Sequence, residues 1–352
     1  MDRRHFGKTV AMGTGGLLMS SVGIHTSGTS TSQKEKIKAA PLNPGDTVGL
    51  IAPASSFDSK RYERAVENIS KCGFRLLEGR YLHRQKGYLA GTDRERLYDL
   101  HDMFRNPKVR GIWCLRGGYG TTRLLEKIDY RLLRENPKVF AGFSDITALL
   151  NAFSLKSGLV GFHSPVAASE LTDYNKNHFL PLISGQSEFP MKLESAKDQG
   201  ENRRGRTEFR TFTISGGRAT GKLTGGNLSL LASLCGTPYL GSFKDRIVFI
   251  EDVGEKPYKI DRMLTQLLQA TDLKSAAGIA FGICNACDKE KGSRSLSLEE
   301  TLRDRIEKLE IPAVYGLSFG HIKNQFTLPV GIEAELDADR KWLHLLESPV
   351  KT

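Results

Sequence analysis

The sequence predicts an α/β protein with two domains, a parallel sheet in the first and a mixed α/β arrangement in the second. From residue 43 onward, short apolar runs typical of buried strands alternate with segments of helical periodicity. Glycine-containing loops follow several of these runs, as expected where strands end at functional loops. The chain has 352 residues, of which 39% are hydrophobic and 26% charged. This length and composition are those of a globular protein that can form two domains.

The first predicted domain, residues 43–172, consists of strands and helices in alternation. Because such alternation produces a parallel sheet covered by helices, we expect functional residues at the carboxyl ends of the strands. The predicted strands are residues 47–53, 74–77, 111–115 and 139–143, and the predicted helices are residues 60–72, 93–104, 124–128 followed by 130–133, and 146–156.

Residues 173–210 are predicted to be an exposed linker, because their later part is dense in charge and poor in apolar residues. The second predicted domain, residues 211–352, begins with glycine-rich turns. Its predicted strands are residues 246–250, 278–284, 313–315 and 332–336, and its predicted helices are residues 259–269 and 297–309.

Residues 1–40 differ in character from the rest and are expected to be an export leader and tether. Arg3 and Arg4 precede Phe6 and Lys8, an order that resembles the twin-arginine export signal. The mildly apolar stretch that follows is too short and too rich in glycine for a stable membrane span. We therefore expect export to the periplasm or beyond; a disordered basic tail is the alternative interpretation.

The formal net charge of +11 indicates attraction to polyanions. Basic residues interleaved with aromatic residues, which would mark a nucleic-acid surface, are not found, so no nucleic-acid partner is expected.

The five cysteines, Cys72, Cys114, Cys235, Cys284 and Cys287, are too widely spaced for a disulfide framework. Cys284 and Cys287 have the spacing of a redox or metal site, but no second pair of ligands accompanies them. We expect no metal there, and whether these two thiols pair is left open.

Ser144 stands where a predicted strand passes through a tight turn directly into a helix. A serine at such a turn projects its hydroxyl from the end of the strand, as in a nucleophile elbow. Gly142 lies two positions before it, but Ile146 replaces the second glycine of the usual motif. The alternative is that Ser144 or Asp145 only caps the helix.

The segment Arg116-Gly117-Gly118-Tyr119-Gly120 also follows a predicted strand. Its glycines would let the backbone approach a ligand closely, as in an oxyanion hole or a phosphate loop. Its spacing fits neither a dinucleotide fingerprint nor a Walker A loop, and a plain turn is the alternative.

A serine nucleophile needs a base and an orienting acid. His163 and His321 both lie in loops at strand ends and are both credible bases. Glu251 ends a strongly apolar strand, which places it at a strand mouth, whereas the alternation of the strand directs Asp252 to the opposite side.

These segments together resemble the LD-carboxypeptidase family, which includes muramoyltetrapeptide carboxypeptidases and microcin-immunity hydrolases. The resemblance covers residues 43 to about 340 and has its motifs in one order. The matching residues are Pro44-Gly45-Asp46, Ile51-Ala52-Pro53, Arg116-Gly117-Gly118-Tyr119-Gly120, Gly142-Phe143-Ser144-Asp145, Gly225-Gly226-Asn227-Leu228, Glu251-Asp252-Val253 with Asp261-Arg262, Gly320-His321 and Leu328-Pro329-Val330-Gly331.

The resemblance implies a catalytic triad of Ser144, Glu251 and His321, without a metal or an organic cofactor. It also implies an oxyanion hole formed by the backbone N–H groups of Gly118 and Asp145. Three further residues are expected to line the substrate site, and these are Tyr119, His163 and Asn227. His163 falls in a motif that usually reads His-Gly-Pro in the family, and Ser164 departs from this pattern.

The resemblance further implies a flavodoxin-like first domain, a site in the cleft between the two domains, and a homodimer. The implied reaction is hydrolysis of an L-D peptide bond, with release of D-alanine from murein tetrapeptide. A microcin-immunity-type hydrolase of peptide or acyl-nucleotide conjugates is the alternative within the family. Outside it, an exported oxidoreductase and a non-catalytic peptide-binding module are the other interpretations.

Overall fold

Two β-sheets flanked by helices make up residues 35–197 and 206–352, the part of the chain that the computed structural model describes. The first sheet consists of β1 (Thr47–Ile51), β2 (Arg75–Glu78), β3 (Val109–Cys114), β4 (Val139–Gly142), β5 (Phe162–His163) and β12 (Leu328–Pro329). Its order is β2-β1-β3-β4-β5-β12, and all neighbours are parallel except β5 and β12. The first five strands follow the flavodoxin-like order, which confirms the predicted parallel sheet.

Helices connect the strands of the first sheet, as predicted: α1 (Ser59–Lys71), α2 (Asp93–Arg105), α3 (Tyr130–Glu135) and α4 (Thr147–Lys156). The Asp58 side chain caps α1 by accepting from the backbone N–H of Arg61, and Thr92 and Glu95 form a capping box at α2. The helix predicted over residues 124–128 is instead a short 3-10 turn, Leu125–Lys127.

The interpretation of residues 173–210 as an exposed linker is wrong for its first part. Helix α5 (Asp173–Ser184) buries Phe179, Leu182 and Ile183 against the body of the protein, and the short strand β6 (Met191–Leu193) follows it. The segment is therefore part of the fold up to β6, whereas residues 198–205 lie outside the described residues.

The second sheet is mixed, as predicted. Its strands are β6, β7 (Phe212–Ser215), β8 (Arg218–Asn227), β9 (Arg246–Glu251), β10 (Gly278–Ile283), β11 (Ala313–Gly320), β13 (Glu333–Asp337) and β14 (Trp342–Leu345). In the order β6-β14-β13-β8-β9-β10-β11-β7, the four strands from β8 to β11 are parallel and the others antiparallel. The helices of this half are α6 (Leu228–Leu234), α7 (Pro257–Ala270) and α8 (Leu298–Ile306).

The two sheets meet where α4 packs on the end of β8. The Asn151 side chain donates to the carbonyl oxygen of Gly225 at 2.9 Å, and the backbone N–H of Asn227 donates to Thr147 Oγ1 at 3.0 Å. A β-carbon on Gly226 would lie 2.4 Å from Thr147 Oγ1, so only glycine allows this approach. One buried apolar cluster continues across the junction, from Leu149 on α4 to Phe249 on β9. The helix that follows Ser144 is thereby fixed against the sheet that carries Glu251.

Within both described ranges, no helix combines the length and the apolar character needed to cross a membrane.

Candidate active site

Ser144 occupies a strained turn between β4 and α4. Its φ angle of 64° lies in the left-handed region, which residues with a side chain rarely adopt. No side chain caps the 3-10 turn Ser144–Ile146 or α4, so the structure does not assign Ser144 the alternative role of a helix cap. Its hydroxyl is directed out of the turn toward His321, as in a nucleophile elbow.

His321 lies between Ser144 and Glu251 and contacts both. The Nδ1 atom of His321 is 2.7 Å from Glu251 Oε2, and its Nε2 atom is 2.9 Å from Ser144 Oγ. A carboxylate partner fixes the proton on Nδ1, so Nε2 accepts the hydrogen bond that the Ser144 hydroxyl donates. This is the arrangement of a serine nucleophile, its base and an orienting acid.

The second sheet supplies both partners of Ser144. Glu251 is the last residue of β9 and His321 directly follows β11, and the parallel strands around β10 bring these two ends to one edge. Gly320 has a φ angle of 113°, and a β-carbon there would lie 3.1 Å from Glu251 Oε2. Glycine at this position therefore lets the His321 backbone approach the carboxylate.

The buried environment and the ion pair act in opposite directions on these two groups. Burial disfavours the charged form of Glu251, but the charge and hydrogen bond of His321 outweigh it and lower the pKa of Glu251 below its usual value. Burial would likewise lower the pKa of His321, but the Glu251 carboxylate raises it above the ordinary histidine value. Glu251 is thus placed to stabilise a protonated His321.

Asn285 fixes the backbone of His321 and was not identified from the sequence. Its side-chain amide donates to the carbonyl oxygen of His321 at 2.8 Å. It lies between Cys284 and Cys287, which are both buried free thiols in this structure. Burial raises the pKa of Cys287 to about 12, so it stays a protonated, unreactive thiol.

The loop after β3 lies against the nucleophile. A β-carbon on Gly117 would be 3.1 Å from Ser144 Oγ and 3.2 Å from the backbone nitrogen of Asp145. The missing side chain leaves space where an oxyanion would meet the N–H group of Asp145. Gly118, the other predicted donor, is exposed and has a φ angle of 119°. Gly117 belongs to the glycine segment that the sequence analysis singled out, but its close approach to Ser144 is visible only in three dimensions.

Asp145 holds this loop in place through its side chain. The carboxylate Oδ2 accepts from the backbone N–H of Thr121 at 2.9 Å, and the Thr121 hydroxyl donates to the Asp145 carbonyl oxygen at 2.6 Å. Burial raises the pKa of Asp145, and the hydrogen bonds from Thr121 partly oppose that change. Asp145 therefore links the loop after β3 to the turn that carries Ser144.

Asn227 does not line an open site, contrary to the sequence-based expectation. It is buried, its amide donates to Asp252 Oδ1 at 3.1 Å, and its side-chain oxygen accepts from the backbone N–H of Leu230. Burial, followed by the nearby charge of Glu251, raises the pKa of Asp252 to about 6. Asn227 pairs in register with Glu251 across β8 and β9, so it is a structural neighbour of the triad.

His163 is also buried, and the prediction that it lines the substrate site is wrong. Its exposed fraction is 0%, and its ring packs 5.9 Å from Phe143 and 5.3 Å from Phe249, measured between ring centroids. Neither ring nitrogen has a hydrogen-bond partner among the described residues, and burial lowers the pKa of His163 to about 4. It is a neutral residue of the apolar layer behind Ser144. The geometry therefore favours His321 over His163 as the candidate base.

Tyr119 lies at the surface beside Gly118. About half of the side chain is exposed, and its ring contacts that of Tyr88, with 5.7 Å between centroids. This position suits a residue that lines a substrate site, and that role stays a prediction.

The sequence of this chain is similar to those of known proteins over most of its length. Models of the LD-carboxypeptidase N-terminal and C-terminal domains match residues 48–164 and 220–336, respectively. A Bacillus subtilis (strain 168) protein named as a probable murein peptide carboxypeptidase is 40% identical over 312 residues, which cover 86% of this chain and 92% of the relative. The Escherichia coli microcin C7 self-immunity protein MccF is 27% identical over 341 residues, which cover 91% of this chain and 98% of the relative.

A solved structure extends the similarity to three dimensions. The crystal structure of a muramoyltetrapeptide carboxypeptidase from Oxalobacter formigenes superposes with a TM-score of 0.70 at 30% identity, covering 85% of this chain and 97% of that one. The two family models, the Bacillus subtilis relative and the Oxalobacter formigenes structure are all named as carboxypeptidases. The chain therefore belongs to the LD-carboxypeptidase family, and it is a serine-type carboxypeptidase.

Proposed function

We propose that this enzyme hydrolyses the L-D peptide bond before the terminal D-alanine of murein tetrapeptides, in the recycling or remodelling of peptidoglycan. The observation that carries the proposal is the continuous hydrogen-bonded chain from Ser144 through His321 to Glu251. The family membership supports the bond type, and the names of the relatives support the murein peptide as substrate.

The proposed reaction begins with attack of Ser144 Oγ on the carbonyl carbon of the bond to D-alanine. His321 Nε2 takes the hydroxyl proton while Glu251 stabilises the imidazolium. The N–H groups of Gly118 and Asp145 stabilise the oxyanion. Collapse of the tetrahedral intermediate breaks the C–N bond, and His321 returns the proton to the leaving amine. Water, deprotonated by His321, then attacks the acyl-enzyme, and the tripeptide acid leaves as Ser144 regains its proton.

The direct test is to incubate the purified protein with a murein tetrapeptide and to follow free D-alanine by mass spectrometry. Release of D-alanine from the tetrapeptide, none from the tripeptide, and none with Ser144→Ala is the expected result. A tetrapeptide that ends in L-alanine should be a poor substrate, because an inverted centre displaces the reacting carbonyl, and a misplacement of about 1 Å costs about a hundredfold in rate. Similar release rates for both epimers would contradict the LD-carboxypeptidase activity.

The similarity to the microcin self-immunity protein favours a second candidate, hydrolysis of peptide or acyl-nucleotide conjugates by the same three residues. An acyl sulfamoyl nucleoside tested beside the tetrapeptide separates the two. The exported location that we propose from Arg3 and Arg4 argues against this second candidate, since such conjugates act in the cytoplasm.

We also propose a homodimer, from the family resemblance. Light scattering of the purified protein measures its molecular mass in solution and so its oligomeric state.

A further inference from the structure

The guanidinium of Arg116 lies beside the loop after β3. It is next to Gly118, one residue beyond Gly117, which approaches Ser144. Arg116 Nη1 donates to the carbonyl oxygen of Ser56 at 2.8 Å, and Nε donates to that of Gly117 at 3.1 Å. A β-carbon on Gly118 would lie 3.4 Å from Arg116 Nη2. Ser144 lies next to Gly117, and the Arg116 guanidinium lies next to the following residue, Gly118.

Arg116 differs from the neighbouring arginines in its charge balance. Arg61 pairs with Asp58, and Arg96 and Arg123 both pair with Asp93. Among the residues that the structure describes, no carboxylate lies within ion-pair distance of Arg116, which is half-buried. Its pKa is lowered, first by burial and then by the charge of Arg61, and the charge of Asp58, which lies beyond ion-pair distance, opposes this only in part. A bound anion would compensate this unpaired, partly desolvated charge.

A carboxypeptidase substrate brings an anion to this neighbourhood. The terminal carboxylate carbon lies three bonds beyond the scissile carbonyl carbon, so the two are roughly 4 Å apart or less. When the carbonyl is held between Ser144 and the loop at Gly117, the side of the loop at Gly118, where the guanidinium lies, is within reach of the carboxylate. A guanidinium is the cation best matched to a carboxylate, and the bond to Ser56 holds this one in position before substrate binds.

We propose that Arg116 binds the terminal carboxylate of the substrate through Nη2 and thereby restricts the enzyme to the last peptide bond of the stem. The inference rests on the proposed function, for which the substrate residue concerned is D-alanine. It identifies Arg116 as a specificity-determining residue, in addition to the groups that perform the chemistry.

The test compares a tetrapeptide that ends in a free carboxylate with the same peptide ending in an amide. The wild type should prefer the acid by about a hundredfold in kcat/KM, as expected for a charged pair of this type. Arg116→Gln should lower kcat/KM for the acid by a similar factor and change that for the amide little, so the preference collapses. Arg116→Lys keeps the charge without the planar donors and should retain part of the preference.

Arg123→Gln is the matched control, because it removes the same charge from a more exposed side chain close to the loop, and its partner Asp93 stays paired with Arg96. Its acid-to-amide preference should equal that of the wild type. Equal losses on both substrates in Arg116→Gln and Arg116→Lys, with the ratio unchanged, would mean that Arg116 only supports the loop, and would overturn the inference. If Arg116→Gln does not fold, Arg116→Lys alone decides, since a full wild-type preference in it overturns the inference too. A wild type that releases neither D-alanine from the acid nor D-alaninamide from the amide instead refutes the proposed function itself.

Discussion

The backbone of Ser144 is held in a conformation that costs about 1–3 kcal/mol for a residue with a side chain. Such strain persists only where surrounding contacts fix it. Here the side chain of the neighbouring Asp145 accepts a hydrogen bond from Thr121, and Asn151 on α4 donates a hydrogen bond to the end of β8. This left-handed backbone conformation orients the Ser144 hydroxyl toward His321 and away from the first turn of the helix.

If Ser144, His321 and Glu251 act as one unit, Ser144→Ala, His321→Ala and Glu251→Gln should each lower kcat by about a thousandfold or more, with losses that do not add. Steady-state kinetics on the tetrapeptide, with circular dichroism to verify folding, measures this. His163→Ala should cost far less, because the ring has no exposed atoms through which to meet substrate. A large loss in His163→Ala together with an active His321→Ala would reverse the choice of base.

The pH dependence should report the His321–Glu251 pair. His321 must be neutral to accept the Ser144 proton, so kcat/KM falls as the pH drops through the pKa of His321, which the Glu251 carboxylate raises. Glu251→Gln removes that charge, so its residual activity should show this acid limb at a lower pH than the wild type. A pH–rate profile of both proteins measures the shift. An acid limb at the same or a higher pH in the variant would contradict the role given to Glu251.

At the scale of elements, the loop after β3 depends on the absence of a side chain at Gly117. Gly117→Ala would place a methyl group 2.8 Å from Ser144 Cβ and into the space before the Asp145 N–H group. We expect a loss of kcat/KM of about a hundredfold or more, in the range seen when one oxyanion donor is lost.

The φ angle of Gly117 is not in the left-handed region, so alanine adds no backbone strain there, but the contact with Ser144 forces a local shift that should cost about 1–3 kcal/mol of stability. Gly241→Ala is the control, because its β-carbon would meet only Leu155, at an ordinary 3.6 Å. Steady-state kinetics and thermal melts of both variants measure kcat/KM and the melting temperature, to be compared with those of the wild type. Full activity in Gly117→Ala would show that the oxyanion lies elsewhere.

The periodic elements were predictable, and the elements that depend on distant contacts were not. The strand–helix alternation up to α4 predicts the parallel sheet, because buried parallel strands are continuous apolar runs. Helix α5 was missed because Pro181 and a polar first half hide its period, and tertiary contacts bury Phe179, Leu182 and Ile183. The two-residue strands β5 and β12 are too short to leave any pattern.

The same distinction applies to the candidate site. Ser144, Glu251 and His321 each stand at a strand end, which sequence shows. His163 and Asn227 belong to the same motifs, but their burial is set by how the two sheets pack, which sequence does not show. Asn285 was missed because its contact is with a main-chain carbonyl 36 residues away.

For the whole molecule, we expect export of the folded protein by the twin-arginine route, from Arg3 and Arg4. These residues lie outside the described residues. Replacing both arginines with lysine should retain the protein in the cytoplasm, and activity and immunoblots of the cell fractions measure this. Unchanged activity in the periplasmic fraction of the variant would contradict the prediction.

The first and last segments of the described chain clasp each other. Lys36 and Lys38 both pair with Glu347, and the backbone N–H of Lys351 donates to the carbonyl oxygen of Ala39 at 2.8 Å. A ribosome makes Lys36 and Lys38 hundreds of residues before it makes Glu347. The clasp can therefore close only once both sheets have been synthesised, and until then the segment around Ala39 lacks these partners.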